Sequence, residues 1–547
     1  MPLTRRSAGR IVPITLDGYR RHPGRPLGPG WSRERLSATG RVQRSVWTGN
    51  RTVRNGETVE QFRVAAGLAS LERAGEHILF NPAAVNPIYF PRGGEQALAL
   101  LRTLGEAGPL TRQAADLCPP HLFDFFVAHG LIVPLAPPAE ASGTCRCQAG
   151  AGLAPARSLY LLLTHACNQA CLYCLDGRST YQEAPTLIMS AAVARDALRT
   201  VCESIVADGR MDVIFFGGEP LLNWPLAKAV IAYCEEVLKP AHPDQTFTYH
   251  LTTNLTLFPD DLIAVARRHA ITFLVDIDGP AEIHDRIRPL KNSARHGSSF
   301  RKSADHIGRL RDAGLPVALR ATVTSHNHDR LLEVTHTHQA LGGSGSAFVP
   351  LNAVDSDEWI MPLELCPDPA RYAEGLRQVY RDGLWPVTAL FPFNDYLTRL
   401  RPNPQPGLGC GAPFGNTPVI TADGRVFSCI YLVGIERFAL GDLALNDFPR
   451  PAVMAQMQAI AAAPTRTECA DCAFRQLCGG GCPVGKFTIA GNAKASPAIV
   501  RYTQDVVCAT SRTVLTELLW DQAQGKFLKT FDASGGGTHE GQDRSGV

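Results

Sequence analysis

The chain has 547 residues, of which 45% are hydrophobic and 19% are charged, and its formal net charge is +3. These values predict a globular protein with a sizeable core and about two to four domains. So small a net charge argues against a nucleic-acid partner. No apolar run is long enough to cross a membrane, and the N-terminus lacks the apolar stretch of a secretory signal. We therefore expect a cytoplasmic protein without a membrane partner.

Residues 1–55 are predicted to form a disordered basic arm. Residues 1–54 contain twelve Arg against two acidic residues, Asp17 and Glu34, together with several Pro and Gly. A segment of this composition buries too little apolar surface to fold alone. An Arg-rich, acid-poor start is also typical of a transit peptide, but Pro and Gly would interrupt the amphipathic helix of such a peptide.

Residues 56–135 are predicted to form a small domain of short strands and helices. The predicted strands are Glu76–Pro82, Pro87–Phe90 and Leu131–Leu135, and the predicted helices are Gly94–Leu104, Leu110–Leu117 and Pro119–His129. This order resembles the winged-helix domains that recognise peptides, and such a domain would hold a leader peptide by strand addition. A winged helix that only packs on its neighbour is the alternative.

Residues 136–155 are rich in Pro, Ala and Gly and are predicted to be a linker, in which Cys145 and Cys147 have no assigned role. Strands and helices then alternate over residues 156–350, which predicts a parallel sheet covered by helices. The predicted strands are Leu159–Leu163, Val213–Phe216, Phe247–Thr252, Phe273–Ile277, Val317–Val323 and Ala347–Pro350. The predicted helices are one capped by Ser190, and Pro225–Leu238, Pro259–Arg268, Lys302–Ala313 and Asp329–Leu341.

The sixteen cysteines are unevenly spread along the chain. Ten of them fall in two groups, Cys167–Cys174 and Cys410–Cys508. In a chain without an export signal, such groups favour metal ligands over disulfides. Cys202 and Cys234 lie in predicted helices and are expected to be core thiols.

The first strand runs into a loop that carries Cys167, Cys171 and Cys174, with the spacing C-x3-C-x2-C. Three thiolates on one loop can take three corners of a four-iron cluster, which usually has four Cys ligands. One iron is then left open, and an open position is where a metal site does chemistry. The alternatives are three unrelated thiols or a structural zinc site, although structural zinc is closed by four ligands.

This motif at the end of a first strand resembles the radical SAM superfamily. The resemblance implies a partial (β/α)6 barrel of the α/β class and a [4Fe-4S] cluster whose open iron chelates S-adenosylmethionine (SAM). It also implies that an electron from the cluster splits SAM and releases a 5′-deoxyadenosyl radical. Tyr173 stands directly before the third Cys, where the family tends to place an aromatic residue near the adenine.

The strand ends supply further residues that match the family. Gly217-Gly218-Glu219-Pro220 follows the second strand and matches the segment that holds the methionyl amino group of SAM, since glycines admit a close ligand and a carboxylate accepts from an ammonium. Asn254 ends the third strand. In parallel sheets the ligands bind at the carboxyl ends of the strands, so these residues are candidates for cofactor binding.

Two charged residues are further candidates for SAM contacts. Asp276, on the fourth strand, replaces the Ser that relatives often place near the ribose, and a carboxylate can bind two ribose hydroxyls. Arg288 follows in a His-Asp-x-x-Arg sequence and is predicted to pair with the SAM carboxylate or with substrate. A surface ion pair between Arg288 and Asp285 is the alternative.

After a bridge at residues 351–400, residues 401–525 are rich in cysteine and resemble the seven-cysteine SPASM extension of radical SAM peptide maturases. By that resemblance, one auxiliary [4Fe-4S] cluster is bound by Cys410, Cys429 and Cys482, and a second by Cys469, Cys472, Cys478 and Cys508. The first cluster has no obvious fourth Cys, so it is open or is ligated by another residue or by substrate. A pair of zinc ribbons is the alternative. A last helix is predicted at Thr513–Gln524, before a disordered tail at residues 526–547.

Together these features imply a radical SAM peptide or protein maturase that forms a crosslink, such as a thioether or C–C bond, or an oxidised side chain. Its expected partners are a precursor peptide or protein and a reducing protein such as flavodoxin or ferredoxin. One alternative is formylglycine formation of the anaerobic sulfatase-maturase type, but those relatives carry an acidic base after the second SPASM Cys, where this chain has Ile430. The others are a radical SAM enzyme for small molecules and a non-catalytic iron–sulfur or zinc module.

Overall fold

The computed structural model describes residues 51–54, 57–82, 87–90, 93–111, 118–135, 158–174, 187–203, 209–353, 361–400, 411–464, 466–490, 492 and 495–525. Residues 1–50 of the predicted arm, the predicted linker, the predicted tail, and Cys145, Cys147 and Cys410 lie outside these ranges.

The N-terminal unit contains two small antiparallel sheets and two helices. Its elements are β1 (Arg51–Arg54), β2 (Glu57–Val64), β3 (Ala69–Arg73), β4 (Glu76–Phe80), β5 (Ile88–Phe90), α1 (Gly94–Glu106), β6 (Leu110–Thr111), α2 (Pro120–Ala128) and β7 (Ile132–Pro134). β2 pairs with β1, β6 and β7, while β4 pairs with β3 and β5. Both helices pack on a core that includes Phe62, Leu79, Leu101, Phe123 and Phe126.

Two predictions for this unit are wrong. The predicted arm ends too late, because β1 lies within residues 1–55 and pairs with β2. The predicted helix at Leu110–Leu117 begins instead as strand β6, since Leu110 and Thr111 pair with Phe62 and Gln61 of β2. These partners are about fifty residues away in the sequence, so no local pattern shows them.

The central domain is built on a ten-stranded sheet with the order β14-β13-β12-β11-β10-β9-β8-β15-β16-β17. Its strands are β8 (Ser158–Leu162), β9 (Arg210–Phe216), β10 (Thr246–Thr253), β11 (Thr272–Asp276), β12 (Val317–Val323), β13 (Gly345–Pro350), β14 (Leu390–Phe391), β15 (Val419–Ile420), β16 (Arg425–Phe427) and β17 (Gly441–Asp442). β8 to β14 are parallel. All six predicted strands are present, with bounds that differ by no more than a few residues.

Helices connect these strands and cover one face of the sheet. They are α3 (Ala191–Cys202), α4 (Trp224–Tyr233), a π-helical turn (Cys234–Leu238), α5 (Lys239–Ala241), α6 (Leu262–His269), α7 (Ala281–Ile287), α8 (Ser293–His296), α9 (Ser299–Asp312) and α10 (Leu331–Ala340). Ser190 caps α3, as predicted, by accepting a hydrogen bond from the Val193 amide. Alternate strand residues such as Val213, Leu251 and Val275 are buried in the core beneath the helices. The intervening positions face the other side and include polar residues such as His250, Asp276 and Arg320.

The segment predicted as a bridge, residues 351–400, is largely structured. It contains α11 (Pro369–Asp382), the edge strand β14 and α12 (Phe393–Arg399), and β14 extends the parallel sheet beyond β13. Residues 354–360 lie outside the described ranges. The bridge is therefore part of the central domain and its packing.

The C-terminal region follows β17 with α13 (Pro451–Ala462), α14 (Arg475–Cys478), α15 (Val484–Ile489) and α16 (Pro497–Ala523). The last helix was predicted to start at Thr513, but it starts sixteen residues earlier, where Ser496 caps it and Pro497 occupies its first turn. Its buried side chains share one core with the N-terminal sheet and with α11 and α12. No described helix, α16 included, combines the length and the hydrophobicity that a bilayer-crossing segment needs.

Candidate active site

The loop of residues 164–174, called here the cysteine loop, is fixed at the carboxyl end of β8. On one side, the amides of Gly218 and Glu219 donate to the carbonyls of Thr164 and Ala166, both at 2.8 Å. On the other side, the Ala170 amide donates to Pro289 O at 2.8 Å, and the Leu172 amide to Ile287 O at 2.9 Å. The loop is therefore tied to the end of β9 on one side and to the end of α7 on the other.

The three thiols of the cysteine loop, Cys167, Cys171 and Cys174, are close enough to influence one another's ionisation. Burial raises the pKa of Cys167 to about 11, and the charge on Cys174 also raises it. Burial likewise raises the pKa of Cys171, with contributions from Cys174 and Cys167. The positive charge of Arg288 acts in the opposite direction on Cys167 and Cys171. The loop thus brings together three thiols beside a cation that favours the thiolate forms of Cys167 and Cys171, against the effect of burial.

Amide donors around the loop fit an iron–sulfur cluster. Cys167 Sγ accepts from the Gln169 amide at 3.4 Å and from Asn254 Nδ2 at 3.8 Å. Gln169 is 4% exposed, and its Nε2 has no hydrogen-bond partner among the described residues. A buried N–H group needs an acceptor, and the sulfur atoms of a cluster can supply one.

The three thiols of the cysteine loop are not arranged to bind a single metal ion together. In the described ranges, no group of three or more His, Cys, Asp or Glu side chains could hold a single metal ion. A cluster makes a different demand, because each of its thiolates binds a separate iron at a separate corner. The three-cysteine loop, its amide donors and Arg288 are suited to that second geometry.

Gly217 and Gly218 allow the end of β9 to pass directly under the cysteine loop. A Cβ atom on Gly217 would lie 2.4 Å from Thr164 O, and one on Gly218 would lie 2.4 Å from Ala166 O. Both contacts are with backbone atoms, so no side-chain rotation can relieve them. The two glycines are therefore required by the close approach of two backbones. Pro220 then begins a 3-10 turn at Pro220–Asn223.

The carboxylate of Glu219 does not face a ligand, contrary to the sequence prediction. It is fully buried and accepts hydrogen bonds from the Leu221 amide (3.0 Å), Thr253 Oγ1 (2.7 Å) and the Asn254 amide (2.8 Å). Burial raises its pKa to about 7, although these three donors lower it. The side chain therefore joins the ends of β9 and β10, and the segment meets the cysteine loop through its backbone.

Asn254 braces the cysteine loop from the end of β10. Its Nδ2 donates to Asn168 Oδ1 at 3.0 Å, besides its contact with Cys167, and its Oδ1 accepts from the Thr256 amide at 2.9 Å. The predicted cofactor residue is thus brought to the loop, but its amide is engaged in positioning it.

Arg288 lies in a buried network of charges next to the cysteine loop. Its guanidinium contacts Asp276 Oδ2 at 2.8 Å, Asp278 Oδ2 at 3.0 Å and Gln169 Oε1 at 3.3 Å. The alternative of a surface pair with Asp285 is wrong, because Asp285 instead accepts from the Phe300 amide at 2.8 Å at the start of α9. Two carboxylates offset the cost of burying this cation.

Asp276 is shared between two arginines. Its Oδ1 accepts from Arg320 Nε at 2.6 Å, and its Oδ2 pairs with Arg288. Burial acts to raise the pKa of Asp276, but the charges of Arg288 and Arg320 outweigh it and lower the pKa. The prediction of a ribose contact therefore does not describe this structure, because both carboxylate oxygens are bound by guanidinium groups.

Tyr173 also belongs to this network. Its hydroxyl donates to Asp278 Oδ2 at 2.7 Å and accepts from Arg288 Nε at 2.8 Å. The ring is 8% exposed and packs in the core with residues such as Ile283 and Ile287. Tyr173 therefore anchors the third corner of the cysteine loop, and its contact with an adenine stays a prediction.

Two important network residues were not predicted. Asp278 is fully buried and also accepts from the Thr322 amide at 2.9 Å. Arg320 is in the middle of β12, directly opposite Asp276 in the register of the sheet. A single charged residue in the sequence Val-Ala-Leu-Arg-Ala-Thr-Val was the available signal, because Arg320 alternates with buried apolar residues and so faces the opposite side of the sheet.

Four of the predicted auxiliary ligands meet around α16. Arg512 interacts with the thiols of both Cys472 and Cys508, and Cys478 Sγ lies 3.2 Å from Ser511 Oγ. Cys478 also interacts with Cys508, and Lys486 interacts with both Cys478 and Cys469. Cys472, Cys478 and Cys508 therefore lie near one another, and Lys486 links Cys469 to Cys478. The long sequence gap before Cys508 is spanned by α15 and the first three turns of α16.

The other predicted auxiliary ligands, Cys429 and Cys482, form a separate group. Both interact with Tyr431, which also lies within electrostatic range of Arg320 and Asp276. Cys410, the third predicted ligand, lies outside the described residues. Tyr431 thus connects Cys429 and Cys482 to the charge network beside the cysteine loop.

Comparison with known proteins agrees with this site. Residues 161–336 match the family model described as the Radical SAM superfamily. Together with the parallel sheet and the three-cysteine loop at its carboxyl edge, this match identifies residues 161–336 as a Radical SAM domain.

Individual relatives cover more of the chain. It is 23% identical over 365 residues to the serine-type anaerobic sulfatase-maturating enzyme of Klebsiella aerogenes. The aligned residues make up 62% of this chain and 83% of that enzyme. It is 28% identical over 393 residues to the PqqA peptide cyclase of Xanthomonas oryzae pv. oryzae. The aligned residues make up 65% of this chain and 88% of that cyclase.

Solved structures show the same fold. Native anSMEcpe with bound AdoMet superposes with a TM-score of 0.54 at 18% identity, covering 67% of this chain and 99% of that chain. Native anSMEcpe with bound AdoMet and Cp18Cys peptide gives a TM-score of 0.53 at 19% identity, covering 68% and 100%. At such identities the comparison establishes the fold alone.

Proposed function

We propose that this chain is a maturase that modifies a peptide or protein by radical chemistry. A four-iron cluster held by Cys167, Cys171 and Cys174, with one open iron, would supply the electron for cleavage of SAM, and the radical so formed would abstract hydrogen from the substrate. The product is a crosslink or an oxidised side chain. The observation that carries the proposal is the braced loop of three thiols at the carboxyl ends of parallel strands.

In this proposal, Cys167, Cys171 and Cys174 hold the cluster, and Gln169 Nε2 and Asn254 Nδ2 donate to its sulfur atoms. Arg288 is not available to SAM, because its side chain is 6% exposed and bound to two carboxylates. The side chain of Arg320 is 20% exposed, and only its Nε is committed to Asp276. Arg320 is therefore the better candidate for a carboxylate of SAM or substrate.

The relatives support a peptide or protein substrate, since two of them are named as a sulfatase-maturating enzyme and a peptide cyclase. The N-terminal unit also supports it, because its antiparallel sheets could accept an added strand from a leader peptide. Ile430, at the position of the acidic base expected for sulfatase maturation, begins a 3-10 turn at Ile430–Leu432. It offers no carboxylate for proton removal.

The auxiliary cysteines are assigned to two further [4Fe-4S] clusters. Cys469, Cys472, Cys478 and Cys508 would close one cluster, while Cys429 and Cys482, with Cys410, would hold the other. Both would accept electrons from the substrate radical. A reducing protein such as flavodoxin or ferredoxin in the cytoplasm would supply the electron for SAM cleavage, and the reducing environment would keep the cysteine ligands as thiolates.

The assignment of the cysteine loop can be tested with two matched substitutions. Cys171→Ala should abolish 5′-deoxyadenosine formation from SAM and dithionite after anaerobic reconstitution, because two thiolates hold a cluster poorly. Cys202→Ala removes a buried thiol of α3 and should leave that activity in place. Equal 5′-deoxyadenosine yields from the two variants would contradict the assignment.

A second substitution separates SAM cleavage from product formation. Cys478→Ala should preserve 5′-deoxyadenosine formation, since the cysteine loop is intact, but stop modification of a substrate peptide. The measurement is mass spectrometry of the peptide alongside quantification of 5′-deoxyadenosine. If the variant still modifies the peptide at the wild-type rate, Cys478 holds no auxiliary cluster that the reaction needs.

A further inference from the structure

Two hydroxyl groups form a hydrogen-bonded chain that ends on Cys478. Tyr396 Oη lies 2.6 Å from Ser511 Oγ, and Ser511 Oγ lies 3.2 Å from Cys478 Sγ. Tyr396 and Ser511 are 6% and 2% exposed, so the chain is shielded from bulk water. The four-cysteine cluster is the name used below for the auxiliary cluster assigned to Cys469, Cys472, Cys478 and Cys508.

Three helices bring these groups together. Tyr396 lies on α12, Cys478 ends α14, and Ser511 lies on α16. Leu397 of α12 and Leu477 of α14 belong to the same hydrophobic core as the buried face of α16. Helix α12 is part of the segment that the sequence predicted to be a bridge, so this segment reaches a proposed cluster ligand.

A cation from the same helix holds the end of α14. Arg399 Nη1 donates to the carbonyls of Cys478 at 2.8 Å and Leu477 at 3.3 Å. Its Nη2 donates to Asp395 Oδ2 at 2.8 Å, and the guanidinium lies 4.4 Å from the centre of the Tyr396 ring. Helix α12 therefore supplies both a hydroxyl and a positive charge beside the backbone that carries Cys478.

A bound cluster would fix the direction of the hydrogen-bonded chain. A cysteine that ligates iron is a thiolate, which has no proton and can only accept. The Ser511 hydroxyl then donates to Cys478 Sγ, and the Ser511 oxygen can accept from the Tyr396 hydroxyl. The neighbouring hydroxyl on α16 differs, because Thr510 Oγ1 donates to Val506 O of its own helix at 2.7 Å.

We propose that Tyr396 and Ser511 raise the reduction potential of the four-cysteine cluster. This inference rests on the proposed function, because it requires that cluster. Uptake of one electron adds one negative charge to the cluster and its thiolates. A hydrogen-bond donor on a ligand sulfur stabilises the added charge and therefore favours reduction. Tyr396 and Ser511 are positioning residues, because they act on the iron through Cys478.

The raised potential makes the four-cysteine cluster a better acceptor for the electron that leaves the substrate radical. The charge of Arg399 acts in the same direction, since a nearby cation also favours the more negative form of the cluster. Loss of the chain would leave the cluster in place but would make it harder to reduce.

The test measures midpoint potentials of the full chain after anaerobic reconstitution with iron and sulfide. The protein is reduced stepwise with dithionite, and electron paramagnetic resonance follows the reduced clusters at each potential. The component that Cys478→Ala removes identifies the four-cysteine cluster. The wild-type protein should contain about twelve iron atoms per chain, four for each of three clusters.

Ser511→Ala should lower the midpoint potential of this component, because the thiolate of Cys478 loses its donor. We expect a roughly tenfold shift of the reduction equilibrium, which is about 59 mV for one electron. Tyr396→Phe keeps the ring and should give a smaller shift in the same direction, since Ser511 still donates. The double variant should match Ser511→Ala alone, because Tyr396 acts through Ser511.

Ser346→Ala is the matched control. It makes the same side-chain change at an equally buried position on β13, where the hydroxyl bonds to His338 Nδ1 at 2.8 Å. The control should keep the wild-type midpoint potential, although it also loses a buried hydroxyl. If Ser511→Ala fails to bind the cluster, Tyr396→Phe carries the test, since it removes one oxygen atom and leaves α16 unchanged.

Each contrary outcome has a distinct meaning. Wild-type midpoint potentials in Ser511→Ala and Tyr396→Phe, both with full iron content, would overturn the role of the hydroxyl chain and leave the cluster in place. An equal shift in Ser346→Ala would overturn it too, because any buried hydroxyl would then have the same effect. About eight iron atoms in the wild-type protein, with no loss in Cys478→Ala, would show that the four-cysteine cluster is absent. That result overturns this part of the proposed function together with the inference.

Discussion

At the scale of single residues, Arg288 holds together the polar interior of the site. It touches the carboxylates of Asp276 and Asp278, the hydroxyl of Tyr173 and the side-chain oxygen of Gln169. Two of these partners are on β11 or just after it, and two are on the cysteine loop. One guanidinium therefore links the loop to the sheet, and it does so in a region with little solvent.

Replacing Arg288 by Ala should destabilise the protein by about 3–5 kcal/mol, because it leaves buried carboxylates without their cation. Urea unfolding under anaerobic conditions measures this change. Arg330→Ala provides the control, since Arg330 pairs with Glu282 and Glu333 at the surface. This substitution should lower the free energy of unfolding by less than about 1 kcal/mol. A similar loss for both variants would show that the Arg288 network adds no more than a surface ion pair.

His338 gives the fold a dependence on pH that is separate from the cluster sites. It is fully buried on α10, where Nε2 donates to Ile277 O and Nδ1 accepts from Ser346 Oγ, both at 2.8 Å. Burial lowers its pKa from 6.5 to about 4. Between these two values the unfolded chain binds a proton that the folded chain does not bind, so acidification favours unfolding.

The contribution of His338 to the free energy of unfolding should fall by about 2 kcal/mol when the pH is lowered from 7 to 5. His338→Gln keeps a polar side chain but cannot titrate, so the stability advantage of the wild-type protein over this variant should shrink by that amount. Urea unfolding of both proteins at the two pH values measures the difference. A wild-type advantage that stays constant from pH 7 to pH 5 would show that His338 is not held neutral.

At the scale of elements, the cysteine loop and the end of β9 form one packed unit. Neither Thr164 nor Ala166 could keep its carbonyl in place if Gly217 and Gly218 carried side chains. The position of the thiols is thus set by backbone packing between two loops as well as by the spacing of the cysteines.

Gly218→Ala should therefore displace the cysteine loop without unfolding the sheet. We expect the iron content after anaerobic reconstitution to fall by about four atoms per chain, with little change in far-ultraviolet circular dichroism. Gly308→Ala is the matched control, because the nearest atom to a Cβ on this α9 residue is 4.0 Å away, at the tip of Arg311. Normal iron loading of Gly218→Ala would show that the loop tolerates the shift.

At the scale of the whole molecule, the N-terminal unit is joined to the C-terminal helix. Arg73 at the end of β3 pairs with Glu517 at 2.8 Å and lies over the ring of Trp520 at 5.0 Å. Phe80 on β4 stacks on Phe474, with ring centroids 6.3 Å apart. Phe474 lies between two auxiliary cysteines in the sequence, so this contact connects the proposed peptide-binding unit to the proposed cluster site.

Glu517 is the centre of this connection, because its buried carboxylate also binds Arg377 and Arg381. Glu517→Gln should leave three arginines without their shared charge and loosen the N-terminal unit from α16. Hydrogen exchange in β3 and β4 should become several-fold faster, while the central sheet keeps its protection. The surface variant Glu333→Gln should change neither region. Unchanged exchange in Glu517→Gln would mean that apolar contacts alone hold the two parts together.

The sequence by itself determined the parts of this protein that depend on near neighbours. Alternating strands and helices gave the parallel sheet, since buried strands and amphipathic helices differ in the period of their apolar residues. The spacing of Cys167, Cys171 and Cys174 predicted the loop on which the site is built. Ser190 marked the start of α3 because a capping side chain acts within three residues.

Only the tertiary structure decided which charges are paired and which cysteines meet. Asp276 was expected to face a ligand, but Arg320, more than forty residues away, occupies it. Cys508 lies near Cys478 because α16 starts at Pro497 and its residue Ser511 contacts Cys478. The physical reason is the same in both cases: a buried charge or thiol is placed by partners that the fold brings together, and their separation along the chain carries no periodic signal.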